Sequence, residues 1–184
     1  MIMQWKNPLV AVGLVMLSLF ASTTAFADSK AEIDARVSQA LKQFYAHNPK
    51  NKELADKAAG MLVFPHITKG GVGIAGEFGE GVLQVKDMAV DYYNITSASI
   101  GLTLGMASRS EIIMFMTQES LDEFKNSNGW KVGVDAGVAI VSLGAGGQYD
   151  TKTLQKPILG FAFGEKGLIG DLSLEGSKIT KVQK

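Results

Sequence analysis

The chain has 184 residues, of which 46% are hydrophobic and 20% are charged, and its 18 basic and 18 acidic side chains balance to a formal net charge of zero. This balance argues against a general nucleic-acid-binding protein, which would carry a strong basic excess. The chain contains no cysteine, so disulfides, thiolate zinc sites and lipid attachment to a cysteine are excluded. Its length predicts one folded domain with a sizeable core.

The first 27 residues have the pattern of a cleavable secretory signal. Lys6 is the only charged residue before Asp28, an apolar run follows at 9–21, and Ala25-Phe26-Ala27 provides a small-residue cleavage pattern. An uncleaved membrane anchor is the alternative, but the apolar run is shorter than the roughly 20 residues that span a bilayer. We therefore expect cleavage near Ala27 and a periplasmic or secreted protein. Removal of the signal takes away one basic residue and no acidic one, which leaves a formal net charge of −1.

Glycine divides the chain after the signal into two parts. Residues 28–59 contain no glycine, whereas 20 of the 21 glycines lie within 60–176. Capping patterns predict two helices in the first part, over 29–46 and 49–59. The first of these has one apolar face, because apolar residues recur at helical spacing at Ile33, Val37, Ala40, Leu41 and Phe44.

From residue 61 onward the apolar period changes to two, which predicts β-strands. The segments 99–106, 131–140 and 159–164 alternate apolar residues with very small ones. Because glycine weakens a strand, a glycine-lined face predicts close packing in a strongly curved sheet. We expect Gly101 and Gly137 to be packed too closely to accept larger side chains.

Two similar segments, F-G-E-G-V-L at 78–83 and F-G-E-K-G-L at 163–168, are predicted to be hairpin tips. A further helix is predicted near 118–126, capped by Thr117. The expected fold of the single domain 28–184 is therefore α+β. Its N-terminal helices pack on a glycine-rich, strongly curved, mainly antiparallel β-sheet or barrel-like core.

The sequence contains no recognisable catalytic or metal-binding pattern. The G-x-G-x-x-G match at 71–76 continues into further glycines rather than a helix, so it indicates a glycine-rich strand and not a dinucleotide loop. The two histidines, His47 and His66, are isolated, and no nucleophile elbow or calcium loop is present. We expect a non-enzymatic protein without a cofactor or a metal.

A few residues are candidates for ligand contact. Lys69 precedes Gly70-Gly71, where the backbone N–H groups of a turn could meet a phosphate; the alternative is a solvated lysine beside that turn. Asp135 lies on the small-residue face of its strand, either as a polar group in a ligand groove or on a face open to water. Phe44 either inserts into a bilayer with the apolar face of the first helix or belongs to the core.

Ordered segments between residues 58 and 182 resemble the SYLF (Ysc84-type) domain family. They are A-A-G-M-L-V-F-P at 58–65, K-G-G-V-G-I-A-G at 69–76, G-E-G-V-L at 79–83, S-I-G-L-T-L-G at 99–105 and G-L-I-G-D-L-S-L-E-G at 167–176. The resemblance implies a lipid-binding, non-enzymatic domain, and the bacterial members are typically exported. The sequence departs from the family pattern at D-Y-Y-N-I (91–95), Thr103 and F-A-F (161–163).

Two functional hypotheses follow. The first is an exported lipid- or phospholipid-binding protein that acts at the cell envelope, where its partner is a phospholipid or a membrane surface. Its candidate lipid-binding residues are Lys69, Gly70, Gly71, Phe44 and Asp135. The alternative is an envelope protein with a protein partner, or with a structural or stress-related role, and no small ligand. Lipids that purify with the protein would distinguish the two, and the sequence carries no signal for an oligomeric state.

Overall fold

The computed structural model describes residues 28–132, 137–142, 152–167 and 176–184. The expected signal at 1–27, Asp135 and the middle of the strand predicted over 131–140 lie outside the described residues. In chain order the described part forms α1 (Lys30–His47), α2 (Pro49–Lys57), β1 (Gly60–Val85), β2 (Met88–Phe115), α3 (Gln118–Asn126), β3 (Trp130–Lys131), β4 (Ala139–Ser142), a 3-10 turn (Thr153–Gln155), β5 (Ile158–Gly167) and β6 (Lys178–Val182).

The α-helices begin at the capping residues that the sequence indicates. Ser29 and Glu32 form the expected capping box, in which the Ser29 hydroxyl accepts from the Glu32 N–H at 3.3 Å and the Glu32 carboxylate accepts from the Ser29 N–H at 2.8 Å. Asn48 and Thr117 cap α2 and α3 in the same way, by accepting from the first turn. The predicted bounds agree with the structure to within two residues, since α2 ends at Lys57.

β1 and β2 form one long antiparallel hairpin, paired over almost their whole length. The tip of the hairpin is Lys86-Asp87, and both residues have positive φ, 51° and 60°, as a tight two-residue turn between twisted strands requires. The segment 78–83 lies inside β1, and residues 163–167 lie inside β5. Both predictions of hairpin tips are therefore wrong.

β2 is the centre of the sheet because both of its edges are paired. One edge carries β1, and the other carries β6 along residues 92–96 and β5 along residues 107–115. β3 pairs antiparallel with β6, and β4 runs parallel to β5, as the one parallel pair among the described strands. The sheet is thus mixed but mainly antiparallel.

The sheet is strongly curled because β1 folds back on itself. A methyl group built on Gly81 would lie 2.5 Å from both the Val63 carbonyl oxygen and the Phe64 ring. A methyl group on Gly79 would lie 2.8 Å from the side chain of Ile67. Only glycine permits this approach of two segments of one strand. The expected fold class, helices on a glycine-rich, curved sheet, is confirmed.

β1 bends sharply between its two limbs, which are residues 60–69 and 79–85. A methyl group on Gly71 would lie 1.9 Å from the carbonyl oxygen of Ile74, and the register with β2 shifts between Val72 and Ile74. Residues 70–78 of β1 and 96–106 of β2, which pair with each other, are called the bend below. The bend brings the two limbs of β1 into contact.

The predicted close packing does not hold at Gly137. A methyl group there would meet no atom within 4 Å, because this exposed residue precedes β4 and faces open space. The side-chain surroundings of Gly101 lie outside the part of the chain that the structure describes. Among the glycines that the structure describes, the closest approaches to backbone atoms are those of Gly71, Gly79 and Gly81 in β1.

The curled sheet buries apolar side chains in two clusters. The first cluster packs α3 against both strands of the hairpin and includes Phe64, Phe115, Phe124 and Trp130. The second covers the predicted apolar face of α1, whose Ile33, Val37, Ala40 and Phe44 pack against β1, β2 and β5. Burial of these faces fixes α1 across the hairpin, which positions the site described next.

Candidate functional site

Three of the residues predicted to contact lipid lie where the bend begins. Lys69, Gly70 and Gly71 belong to β1 and pair with β2, so the turn predicted at this position is absent. Lys69 is only 8% exposed, and its Nζ lies 3.2 Å from the carboxylate of Glu77 across the bend. Lys69 is therefore a buried ion-pair member and not a solvated lysine. Its contact with a phosphate stays a prediction, and such contact would compete with Glu77.

Phe44 and Asp135 are not part of the same site. Phe44 is fully buried, and its ring packs against Phe161 and Phe163 at centroid distances of 5.1 and 5.4 Å. This packing favours the alternative that Phe44 belongs to the core, because insertion into a bilayer would require α1 to leave the sheet. Asp135 lies outside the described residues.

Four charged side chains form a buried cluster beside the bend, called the charge cluster: Lys69, Glu77, Arg109 and Glu111. The guanidinium group of Arg109 lies 3.0 Å from the Glu77 carboxylate and 3.4 Å from the Glu111 carboxylate. All four residues are buried, and Glu111 is entirely so. Since Lys69 precedes the bend and Glu77 lies near its far end, their ion pair also holds the two ends of the bend together.

The two carboxylates share the Arg109 guanidinium unequally. Burial acts to raise the pKa of Glu77, but the hydrogen bonds and charges of Arg109 and Lys69 outweigh it and lower the pKa. Burial raises the pKa of Glu111 to about 7, because its longer contact with Arg109 compensates only in part and the charge of Glu77 opposes ionisation. Glu111 is therefore the member of the cluster whose protonation changes near neutral pH.

Two buried polar atoms of the charge cluster, Nε of Arg109 and Oε1 of Glu111, have no hydrogen-bond partner among the described residues. Native proteins satisfy most of their buried polar atoms, so an unsatisfied pair in one cluster marks a place for a ligand or an ordered water. Protonation of Glu111 lowers the free-energy cost of burying the charge cluster, because a neutral carboxyl group is easier to bury than a carboxylate.

Arg109 also lines a cavity of about 470 Å³ between α1 and the hairpin. α1 contributes Arg36, Gln39 and Gln43 to its wall, and the hairpin contributes His66 opposite them. The volume falls in the usual range of ligand pockets, about 300–1,000 Å³. Guanidinium and amide N–H groups on facing walls suit an oxyanion such as a phosphate.

The bend exposes apolar side chains, called the apolar bend surface: Val72 (78% exposed), Met106 (71%), Ile74 (66%) and Phe78 (50%). Phe78 also lines a second cavity, of about 120 Å³, which shares Arg36 and His66 with the larger one. A group of exposed apolar side chains in one part of a fold marks a contact surface.

Arg109 and Glu111 are not among the site residues predicted from the sequence, although the sequence contains a signal for them. Both lie in β2. Arg109 directly precedes the mostly apolar run S-E-I-I-M-F at 110–115, and Glu111 lies within it. A charged residue in a buried strand requires a partner, because an unpaired buried charge is very costly. The partner Glu77 lies 32 residues away from Arg109 in the chain, so the pairing depends on the fold and not on local spacing.

Within the described ranges, no group of three histidine, aspartate or glutamate side chains is placed to hold a metal ion. No helix in that part of the chain combines the length and the apolar character needed to cross a bilayer.

A protein-family model, Ysc84, described as "Las17-binding protein actin regulator", matches residues 96–184. The match begins in β2 and extends through β6, so it includes Arg109 and Glu111. Lys69 and Glu77 lie before it. No curated protein sequence matches the chain.

Proposed function

We propose that the chain is an exported, non-enzymatic protein that binds lipids or phospholipids at the cell envelope. Residues 96–184 match the Ysc84 family model. The signal-like pattern of residues 1–27 supports export. The SYLF-like segments support a lipid partner. The description of the family model names a protein partner, Las17, and a role in actin regulation, so the choice of lipid depends on the surface of this chain.

The observation that carries the proposal is that the apolar bend surface adjoins a cavity rich in hydrogen-bond donors. Met106 lies two residues from Ser108 on β2, which places both on one face, and Ser108 lines the larger cavity. Phe78 lines the smaller cavity, beside Arg36. At a membrane, apolar side chains enter the acyl boundary while cationic groups meet the lipid phosphates. The apolar bend surface supplies the apolar groups, and Arg36 and Arg109 in the adjoining cavities supply the cationic ones.

Because the net charge of the chain is near zero, the electrostatic part of membrane binding depends on the cations that line the two cavities beside the bend. We expect stronger binding to vesicles that contain acidic lipids than to neutral ones, because acidic lipids attract basic groups near the surface. Binding should weaken as the ionic strength rises toward roughly 0.5 M, where the screening length falls below about 5 Å.

The apolar bend surface can be tested with a pair of matched variants, Met106→Asp and Met88→Asp. The two methionines have similar exposure, 71% and 65%, but Met88 lies at the hairpin tip, away from the bend. A charged side chain is excluded from the acyl boundary, so Met106→Asp should weaken binding to sedimented vesicles by about tenfold or more, equivalent to about 1.4 kcal/mol. Met88→Asp should bind to the vesicles like the unchanged protein. Equal loss in the two variants would contradict a role for the bend.

Binding to another envelope protein is the second candidate, favoured by the protein partner in the description of the family. The apolar bend surface would then be covered by that partner. If no lipid mixture sediments the protein at low salt and no lipid purifies with it, the lipid proposal is wrong and this candidate takes its place.

Export is tested by N-terminal sequencing of the protein recovered from outside the cytoplasm. The mature chain should begin at Asp28 or within a residue or two of it, because Ala25-Phe26-Ala27 provides the cleavage pattern. A mature chain that still contains residues 9–21 would contradict both the signal and the proposed location.

A further inference from the structure

The backbone nitrogen of Asp28 is held by a buried carboxylate. It donates to Oε2 of Glu80 at 2.9 Å, while Nζ of Lys184 lies 2.7 Å from Oε1 of the same carboxylate. Lys184 also donates to the Asp28 carbonyl oxygen at 2.8 Å. The side chain of Glu80 is only 8% exposed, so this carboxylate is a specific partner for the atoms that reach it and not a surface charge.

Other contacts fix Asp28 at this position. Its carboxylate pairs with Arg36, one turn and a half into α1, and the next residue, Ser29, caps that helix. Asp28, Arg36 and Glu80 line the smaller cavity together with His66 and Phe78. The location of the Asp28 nitrogen therefore follows from the docking of α1 on the hairpin.

We propose that Glu80 is the binding site for the α-amino group that cleavage between Ala27 and Asp28 releases. Hydrolysis adds one water across this peptide bond: the carboxylate leaves with Ala27, and the amine stays on Asp28. An α-amino group has an unperturbed pKa of about 7.7–8.0, so it carries a positive charge at neutral pH. The hydrogen bond from a neutral amide to the Glu80 carboxylate then becomes an ion pair between two charged groups, which is stronger in this buried setting.

Cleavage after Ala27 is therefore expected to stabilise the folded protein. In the uncleaved chain Glu80 accepts one amide hydrogen bond from Asp28 and pairs with Lys184, whereas in the processed chain it pairs with a second cation. This ion pair adds to the apolar packing of α1 and holds the start of the helix against Glu80 of β1, beside the smaller cavity. The inference depends on cleavage at Ala27 but not on the lipid partner.

The test compares the processed chain, which starts at Asp28, with a chain that keeps Ala27, each with Glu80 or with Glu80→Gln. The extra residue displaces the amine by about 3.8 Å without changing the net charge. At pH 7 the Asp28 form should melt about 2–6 °C higher than the Ala27 form, and Glu80→Gln should abolish the difference. Equal melting temperatures, or a difference that survives in Glu80→Gln, would overturn the proposal.

The same comparison gives a pH signature. The amine gains a partner on folding, so its folded pKa lies above the unfolded value near 8; the added stability is present below pH 8 and is lost as the pH rises through the folded pKa. The nearby charged and titratable groups, Asp28, Arg36, His66, Glu80 and Lys184, are common to both starts and cancel in the difference. The advantage of the Asp28 form should therefore disappear by about pH 10.

A measurement on the unchanged processed chain covers the case in which Glu80→Gln does not fold. The pKa of the α-amino group, followed by the pH dependence of its acylation, should be raised by about one unit above 8. A value at or below 8 would overturn the inference. If sequencing finds another start, this inference fails while vesicle sedimentation still tests the lipid proposal.

Discussion

Replacing Gly81 by alanine is expected to destabilise the protein by about 3 kcal/mol. The added methyl group would lie 2.5 Å from the Val63 carbonyl oxygen and 2.5 Å from the Phe64 ring. Val63 presents backbone, which a rotamer change cannot move, and Phe64 is fully buried in the core. The variant must therefore separate the two limbs of β1, and urea unfolding should show the loss directly.

Gly137→Ala is the matched control, since the same methyl group would meet no atom within 4 Å there. Its free energy of unfolding should change by less than about 0.5 kcal/mol, or increase slightly because alanine restricts the unfolded chain. If Gly81→Ala and Gly137→Ala unfold at the same urea concentration, β1 does not fold on itself as tightly as described.

Elements with local signals were predictable from the sequence. The capping residues Ser29, Asn48 and Thr117 fixed the starts of the three described α-helices, because a cap depends on residues within one turn. The period of two in apolar residues likewise indicated the sheet. The strand bounds were harder, since β1 and β2 are far longer than usual and continue through segments that look like turns.

The hairpin tip shows why turns and strand interiors are difficult to distinguish in this sequence. Lys86-Asp87 adopts positive φ without a glycine, so the actual turn carried no strong sequence signal. The glycines of the segment 78–83 predict a turn, but in the structure they permit the contact between the two limbs of β1. Glycine marks both turns and close approaches, and only the tertiary structure separates the two uses.

The candidate site was predictable only in part, for the same physical reason. Lys69 was selected from a local motif, and it does lie at the site, but buried in an ion pair with Glu77. Arg109 and Glu111 were missed because their burial and pairing arise from strand contacts distant in sequence. Local patterns report helix starts and strand periods, whereas the curl of the sheet decides which charges become neighbours.

Glu111→Gln should make the stability of the protein less dependent on pH between 5 and 8. The pKa of Glu111 is raised to about 7 by burial, above its unfolded value, so the folded state binds a proton that the unfolded state releases. Its contribution to stability is present below about pH 4.5 and is lost as the pH rises through 7. Glutamine has nearly the same shape as the protonated carboxyl group and does not titrate.

Urea unfolding of both proteins at pH 5 and pH 8 measures this difference. The unchanged protein should lose about 2–3 kcal/mol more than Glu111→Gln over that interval, from a pKa difference near 2.5 units at about 1.36 kcal/mol each. His47 and His66 are present in both proteins, so any contribution from them cancels in the comparison. The lowered pKa of Glu77 acts below pH 4.5 and leaves the interval unaffected. Equal pH dependence in the two proteins would mean that Glu111 ionises in the folded state as it does in the unfolded chain, with Arg109 serving both carboxylates equally.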